Sequence, residues 1–336
     1  MRIPYRNKLL MKKILRVTLI SLIIFAVFFV ALLIYMDSNI LYDRQGAHLS
    51  YDAPTENVEE IQVSENIPLD PPEIIYMNKE PEEQPLSEVG GYYITTSMLQ
   101  EPEKVLEQLK TIQDPCAVMI ELKSIFGNFY YSTSIGGAQT ASVDITVVDS
   151  IIQYLREHGF YMIASVAAFS DYNFALDNQT SGLPLKSGAL WMDENGCYWL
   201  DPASETVISY LMQITRELSA LGFKEVAFSD FRFPVSNNIH YESDLTGTQI
   251  IQNAAEQLTN FFQGSNVTVS FSVKDTDFPA EACAGRLYVS EVDGSKVERY
   301  NQIYGEVENL KELVFLANSR DTRFDELAVL RPLMSQ

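Results

Sequence analysis

Residues 225–234 read EVAFSDFRFP, and this stretch decides the fold. It follows a helix-like segment ending at Gly222. It runs as an apolar strand, then sets Asp230 and Arg232 among aromatics and stops at Pro234. A carboxylate and a guanidinium at the C-terminal end of a buried strand are where a (β/α) barrel carries its chemistry.

The stretch belongs to a repeating texture. β-like runs at 92–97, 117–123, 161–169, 225–231, 267–273, 286–292, 313–317 and 327–330 alternate with helix-like segments at about 102–112, 145–158, 203–221, 247–263 and 297–303, with a short one near Thr322. Pro102 and Pro202 fall in first turns, and Gly159 and Gly222 read as helix stops. Strand–helix–strand alternation predicts an α/β domain over 90–336, and its length suits a single (β/α)8 barrel. The last three units are thinner, which predicts an irregular C-terminal third. An open doubly wound sheet is the alternative.

The remainder is not globular in character. Six basic residues and no acid lie in 1–16, followed by an uncharged apolar run at 17–36. Twenty residues of helix span about 30 Å, the hydrocarbon thickness, so 17–36 predicts a transmembrane anchor. The basic flank places the N-terminus in the cytoplasm and the domain outside the cell. No small-x-small cleavage site follows. Residues 37–89, rich in proline and acid, predict an extended extracytoplasmic linker. The net charge of −21 argues against nucleic acid as a partner.

The sequence lacks phosphate-binding glycine loops and a GxSxG elbow, and no cofactor is implied. Cys116, Cys197 and Cys283 suit an apolar core, and with His48, His158 and His240 they show no metal-ligand spacing. His240 falls in the loop after the fourth predicted strand, where it either faces a ligand or, as its setting favours, is solvated. Carboxylates at strand ends remain. Glu121 and Lys123 in VMIELK share one face by the two-residue strand period, which suits the barrel lumen either as a catalytic or binding pair or as an ion pair. In the fourth strand Ala227 and Ser229 are expected to face the lumen. Asp230 then faces outward unless a bulge re-aims it. The long connection after the third predicted strand holds a DENG turn flanked by Leu190-Trp191 and Tyr198-Trp199, a hairpin whose Trp191 and Trp199 could stack on sugar or pack on the rim. Asp201 is the expected cap of the next helix.

The segments GGYYITTSM, VMIELKS, HGFYMIASVAAFSD, LWMDENGCYWLDP and LGFKEVAFSDFRFP, in this order, resemble a family of glycoside-hydrolase-like barrel domains, secreted or membrane-anchored in bacteria. The resemblance covers 90–234. It implies action on carbohydrate. A glycoside hydrolase needs two carboxyl groups flanking the bond, and the candidates are Asp230 and Glu121, with Glu291 or Asp293 at the end of the sixth predicted strand in reserve and Lys123, Trp191, Trp199 and Arg232 for binding substrate. The family's pattern has an arginine where Ser165 stands and an aspartate where Ser229 stands, so the acid is displaced by one position to Asp230. The expected function is a membrane-anchored glycoside hydrolase. A barrel that has lost catalysis and binds polysaccharide or an envelope protein is the alternative.

Overall fold

The computed structural model describes residues 89–334, except 137, 140–141, 291–293, 309, 319–320 and 325–326, together with two short strands nearer the N-terminus. These two, Ile40–Asp43 (β1) and Gly46–Leu49 (β2), pair antiparallel within a unit of their own, residues 1–79. The basic segment 1–16, the apolar run 17–36 and most of the linker 37–89 lie outside the described residues, as do Glu291 and Asp293. Among the described residues no helix is long and apolar enough to cross a membrane.

The second unit contains Gly90–Ile94 (β3), Ala117–Lys123 (β4), Asn128–Phe129 (β5), Ala138–Gln139 (β6), Tyr161–Ala167 (β7), Glu225–Ser229 (β8), Thr268–Val273 (β9), Arg286–Val289 (β10), Glu312–Leu316 (β11) and Ala328–Pro332 (β12). Eight of them, β3, β4 and β7 to β12, pair in chain order, every pair parallel. β12 pairs with β3 and β3 with β4, which closes the sheet into a barrel and removes its edges. Closure excludes the open doubly wound sheet. The eight strands are those expected from the sequence; β3, β7, β8, β10 and β11 end one to three residues earlier than expected, and β12 runs two residues further. β3 stops at Ile94 because Thr96–Leu99 turns into helix, and β8 stops at Ser229.

The helices follow local chemistry. Ile145–Glu157 starts at Asp144, whose carboxylate accepts from the Thr146 and Val147 amides. Pro102 opens Pro102–Leu109 in the first turn, where its missing N–H costs nothing. Glu205–Leu221 buries Val207, Leu211, Ile214 and Leu218, one face at helical spacing, and ends on Gly222 in the left-handed region at φ 106°. Its N-cap is Ser204. Asp201, the expected cap, accepts instead from the Ala203 amide and the Tyr241 hydroxyl, so it closes the turn ahead of the helix. The C-terminal third is thin, as expected: its helix Val297–Tyr304 has 8 residues, and a 3-10 turn, Thr322–Phe324, serves the last connection.

The apolar core has two layers. The larger lies between strands and helices. The smaller fills the lumen with Tyr93, Ala117, Met119, Ile163, Ala227, Tyr288, Val314 and Leu330. Below it, at the N-terminal ends of the strands, lies a buried polar layer. The Glu225 carboxylate accepts from Arg286 Nη1 (2.6 Å), Tyr161 (3.0 Å), Ser270 (2.5 Å) and Tyr288 (2.9 Å), and Arg286 Nε donates to Glu312 (2.8 Å). A charge withdrawn from water persists only when its hydrogen-bonding capacity is met, and here four donors meet it. The opposite end of the lumen is therefore the open one.

Candidate functional site

Alternation from Ala227 and Tyr288 carries the inward face upward to Ser229 and Ser290, and the pairing of Ser272 with Tyr288 makes Ser272 inward as well. These three serines line a cleft of about 670 Å3 at the C-terminal ends of β8, β9 and β10. Its walls come from the strand-end residues Asp230, Arg232, Lys274 and Asp275, from the hairpin tip at Glu194 and Asn195, and from the first turn of the helix Gly247–Phe261. Phe233, Phe278 and Pro279 supply apolar surface. Volume, position and mixed lining are those of a small-molecule site.

Asp230 is the only non-glycine residue at positive φ (50°) among the described residues. The last paired residue of β8 is Ser229. The chain then leaves the pleat, so the outward orientation expected from strict alternation does not apply, and Asp230 lines the cleft. The device is a left-handed residue rather than a bulge, and a non-glycine residue in that conformation costs roughly 1–2 kcal/mol. Burial raises the Asp230 carboxyl above its usual range, opposed by the charges of Lys274, Arg232 and Lys123.

Glu121 stands elsewhere. It is level with Ser165 and, across β7, with Ala227, two strands from Asp230. Its Oε2 accepts from the Thr96 amide at 2.8 Å, beyond β3 on the other side of β4. Glu121 does not line the cleft.

Lys123 does not share the Glu121 face. The β4–β7 register slips between the two, leaving Leu122 as an extra residue, and the slip turns Lys123 away. Its side chain is fully buried, with Nζ 2.8 Å from Asp171 Oδ2 and 2.7 Å from the Ala167 carbonyl. Asp171 is also fully buried; it accepts from the Tyr210 hydroxyl and caps Tyr172–Asp177 through the Phe174 amide. A Cβ on Gly127 would meet Asp171 Oδ1 at 2.1 Å, so only glycine fits beside the pair. Lys123 thus holds the barrel rim together and does not reach the cleft.

The hairpin forms as expected around Asp193, with Met192 and Tyr198 bridged antiparallel. The Asp193 carboxylate accepts from the Asn195 and Cys197 amides and from Trp199 Nε1 at 3.0 Å. Burial opposes the Asp193 charge, but these hydrogen bonds prevail and hold its carboxyl below the usual range. Trp199 is 1% exposed, so its ring is a packing element. Trp191 lies half-buried beside it, ring centres 6.4 Å apart, and is not part of the cleft lining. Arg232 is exposed, lines the cleft, and lies 4.7 Å over the Trp199 ring. His240 is exposed in its loop.

Two strand-end residues of the cleft, Lys274 and Asp275, escape a reading that looks for acids inside strands, because they follow the last residue of β9. Their signal is KDTD directly after an apolar run. The three cysteines are unpaired, and among the described residues no His, Cys, Asp and Glu cluster suits a metal.

Solved structures share the fold. An uncharacterised protein from Listeria monocytogenes aligns with a TM-score of 0.52 at 8% identity, over 74% of this chain and 29% of that one. An alpha-galactosidase from Lactobacillus brevis aligns at 0.50 and 11% identity, over 73% and 37%. A cycloalternan-degrading enzyme from Trueperella pyogenes does so at 0.50 and 11%, over 73% and 43%. The chain thus spans less than half the length of either enzyme. No curated protein matches it. A family model does: residues 91–275, more than half of the chain, match the model described as "Putative glycosyl hydrolase domain". The match runs from β3 to the strand-end Asp275, through every element that builds the cleft up to β9, and the chain belongs to this glycosyl hydrolase domain family.

Proposed function

We propose that the barrel hydrolyses O-glycosyl bonds of a polysaccharide outside the cell, held at the membrane by residues 17–36 and spaced from it by residues 37–89. One observation carries the catalytic part: Asp230, half-buried and turned into the cleft by its left-handed backbone, has a carboxyl that burial shifts toward the protonated form. A proton-holding carboxyl beside the scissile oxygen is the acid that glycoside hydrolysis needs. Its partner carboxylate is Asp275. β8 and β9 are neighbours, about 4.8 Å apart, so their strand-end side chains reach the roughly 5–9.5 Å separation of paired glycosidase carboxyls. Glu121, tied to the Thr96 amide, supports the rim. Arg232 and Phe233 hold the sugar.

The test is release of reducing ends from cell-wall and storage glycans by the full-length protein in detergent. Activity that disappears in Asp230→Asn and Asp275→Asn supports the reading. Activity retained in both variants overturns the assignment. Binding with no turnover on any glycan selects the non-catalytic barrel, for which the serines at 165 and 229 already speak. Protease added to intact cells should release the domain, and full protection would exclude the extracytoplasmic placement.

A further inference from the structure

We propose that the cleft is selective for glycans bearing oxyanion groups, uronate or sulfate, and that Arg232 is the residue that grips the acid. The inference rests on the carbohydrate reading above and adds the substrate class.

Arg232 already has an anchor within the protein. Its guanidinium lies 4.7 Å over the Trp199 ring. That ring is buried and tied to Asp193, whose carboxylate is itself held by two backbone amides. A cation–π contact of this kind uses none of the guanidinium N–H groups, and these can grip a carboxylate or sulfate through two hydrogen bonds. The chain has 45 acidic residues against 24 basic ones, so an exposed arginine has no shortage of carboxylates. Yet among the described residues Arg232 forms neither an ion pair nor a hydrogen bond, not even with Asp230 two positions away. A cation in a cleft with no carboxylate hydrogen-bonded to it is a binding group awaiting an anion.

Two further features of the cleft favour an anion beside Arg232. Gly247 and Thr248 line it and open the 15-residue helix Gly247–Phe261. Thr246 and Gln249 satisfy each other in a capping box, so the first two helical amides point outward at the positive end of the dipole. Lys274 is a second cation in the lining. Against these stand Glu194, Asp230, Asp275 and Asp277. A polymer of amino sugars would use those carboxylates and ignore Arg232, so the two substrate classes make opposite demands on one residue.

The experiment is calorimetric titration of the full-length protein with three oligosaccharides: hexagalacturonate, its fully methyl-esterified form, and hexaglucosamine. The acidic oligomer is expected to bind about 10-fold more tightly than its ester, the gain from one charged bidentate contact, and the advantage should shrink as salt screens it. Arg232→Gln should bring the acid down to the level of the ester, and Arg232→Lys should keep part of the difference. Thermal melting of both variants checks that the Trp199 stack tolerates the change. Equal binding of acid and ester, tightest binding of hexaglucosamine, or an acid preference untouched in Arg232→Gln would each overturn the proposal. Acid-selective binding without cleavage would sink hydrolysis and leave this inference standing. Cleavage of a neutral glycan that needs Asp230 but shows no acid preference would do the reverse.

Discussion

The Glu121 carboxylate accepts the Thr96 amide at 2.8 Å, and this one hydrogen bond separates the two acids that share the barrel's open end. It ties Glu121 to the chain leaving β3, while Asp230 leaves β8 two strands away and lines the cleft. Asp230→Asn should therefore abolish turnover. Glu121→Gln should lower it by less than about 10-fold, mainly by loosening the rim, since a lost charge-assisted hydrogen bond is worth about 1.5–3 kcal/mol of local stability. Initial rates and melting temperatures of the two variants check this.

Asp230 also makes a pH prediction. Burial raises its folded pKa above the unfolded value, so its contribution to stability is fully present below the unfolded pKa and is lost as pH rises through the folded one. Asp230→Asn removes that loss, and asparagine accepts the left-handed backbone (φ 50°) more readily than most residues. The variant should be more stable than the parent at pH 7, with a smaller gain at pH 4. Denaturant unfolding at both values measures it.

The Lys123–Asp171 pair has no exposure on either side chain, at 2.8 Å. Removing one partner strands a buried charge, so Lys123→Met should cost about 3–5 kcal/mol. Lys123→Met with Asp171→Asn should cost clearly less than the sum of the two single changes. A double-mutant cycle in urea shows the coupling.

At the opposite end of the barrel, Arg286 neutralises Glu225 and Glu312 far from the cleft. Arg286→Met should destabilise the fold by about 3–5 kcal/mol, because it leaves two carboxylates behind. Glycan affinity in the protein that remains folded should be unchanged. Unfolding and binding measured on the same preparation separate the two effects.

Trp199 and Trp191 should differ sharply. Truncating buried Trp199 to alanine creates a large cavity and removes the Arg232 platform, a loss of about 3–5 kcal/mol. Trp191→Ala, half-buried, should cost far less and leave Arg232 in place. Melting curves with parallel binding assays decide.

The strand–helix alternation, the helix stop at Gly222, the thin C-terminal third and the hairpin around Asp193 were legible in the sequence. Each is set by local chemistry: side-chain period, a glycine at positive φ, a turn motif. Barrel closure was a matter of count and length, and the pairing of β12 with β3 decided it against an open sheet. The site was less legible. Period alone put Glu121 and Lys123 on one face and turned Asp230 outward. A register slip undid the first and a single left-handed residue undid the second. Neither has a composition signal, because each is imposed by neighbouring strands. The buried layer around Glu225 was read as the start of an apolar strand, since its partners Tyr161, Ser270 and Arg286 come from three other strands. By itself the sequence determined which segments are strands and which residue types crowd their ends. Only the tertiary structure decided which of those residues meet, because burial and pairing between distant segments set the direction of a side chain at a strand end.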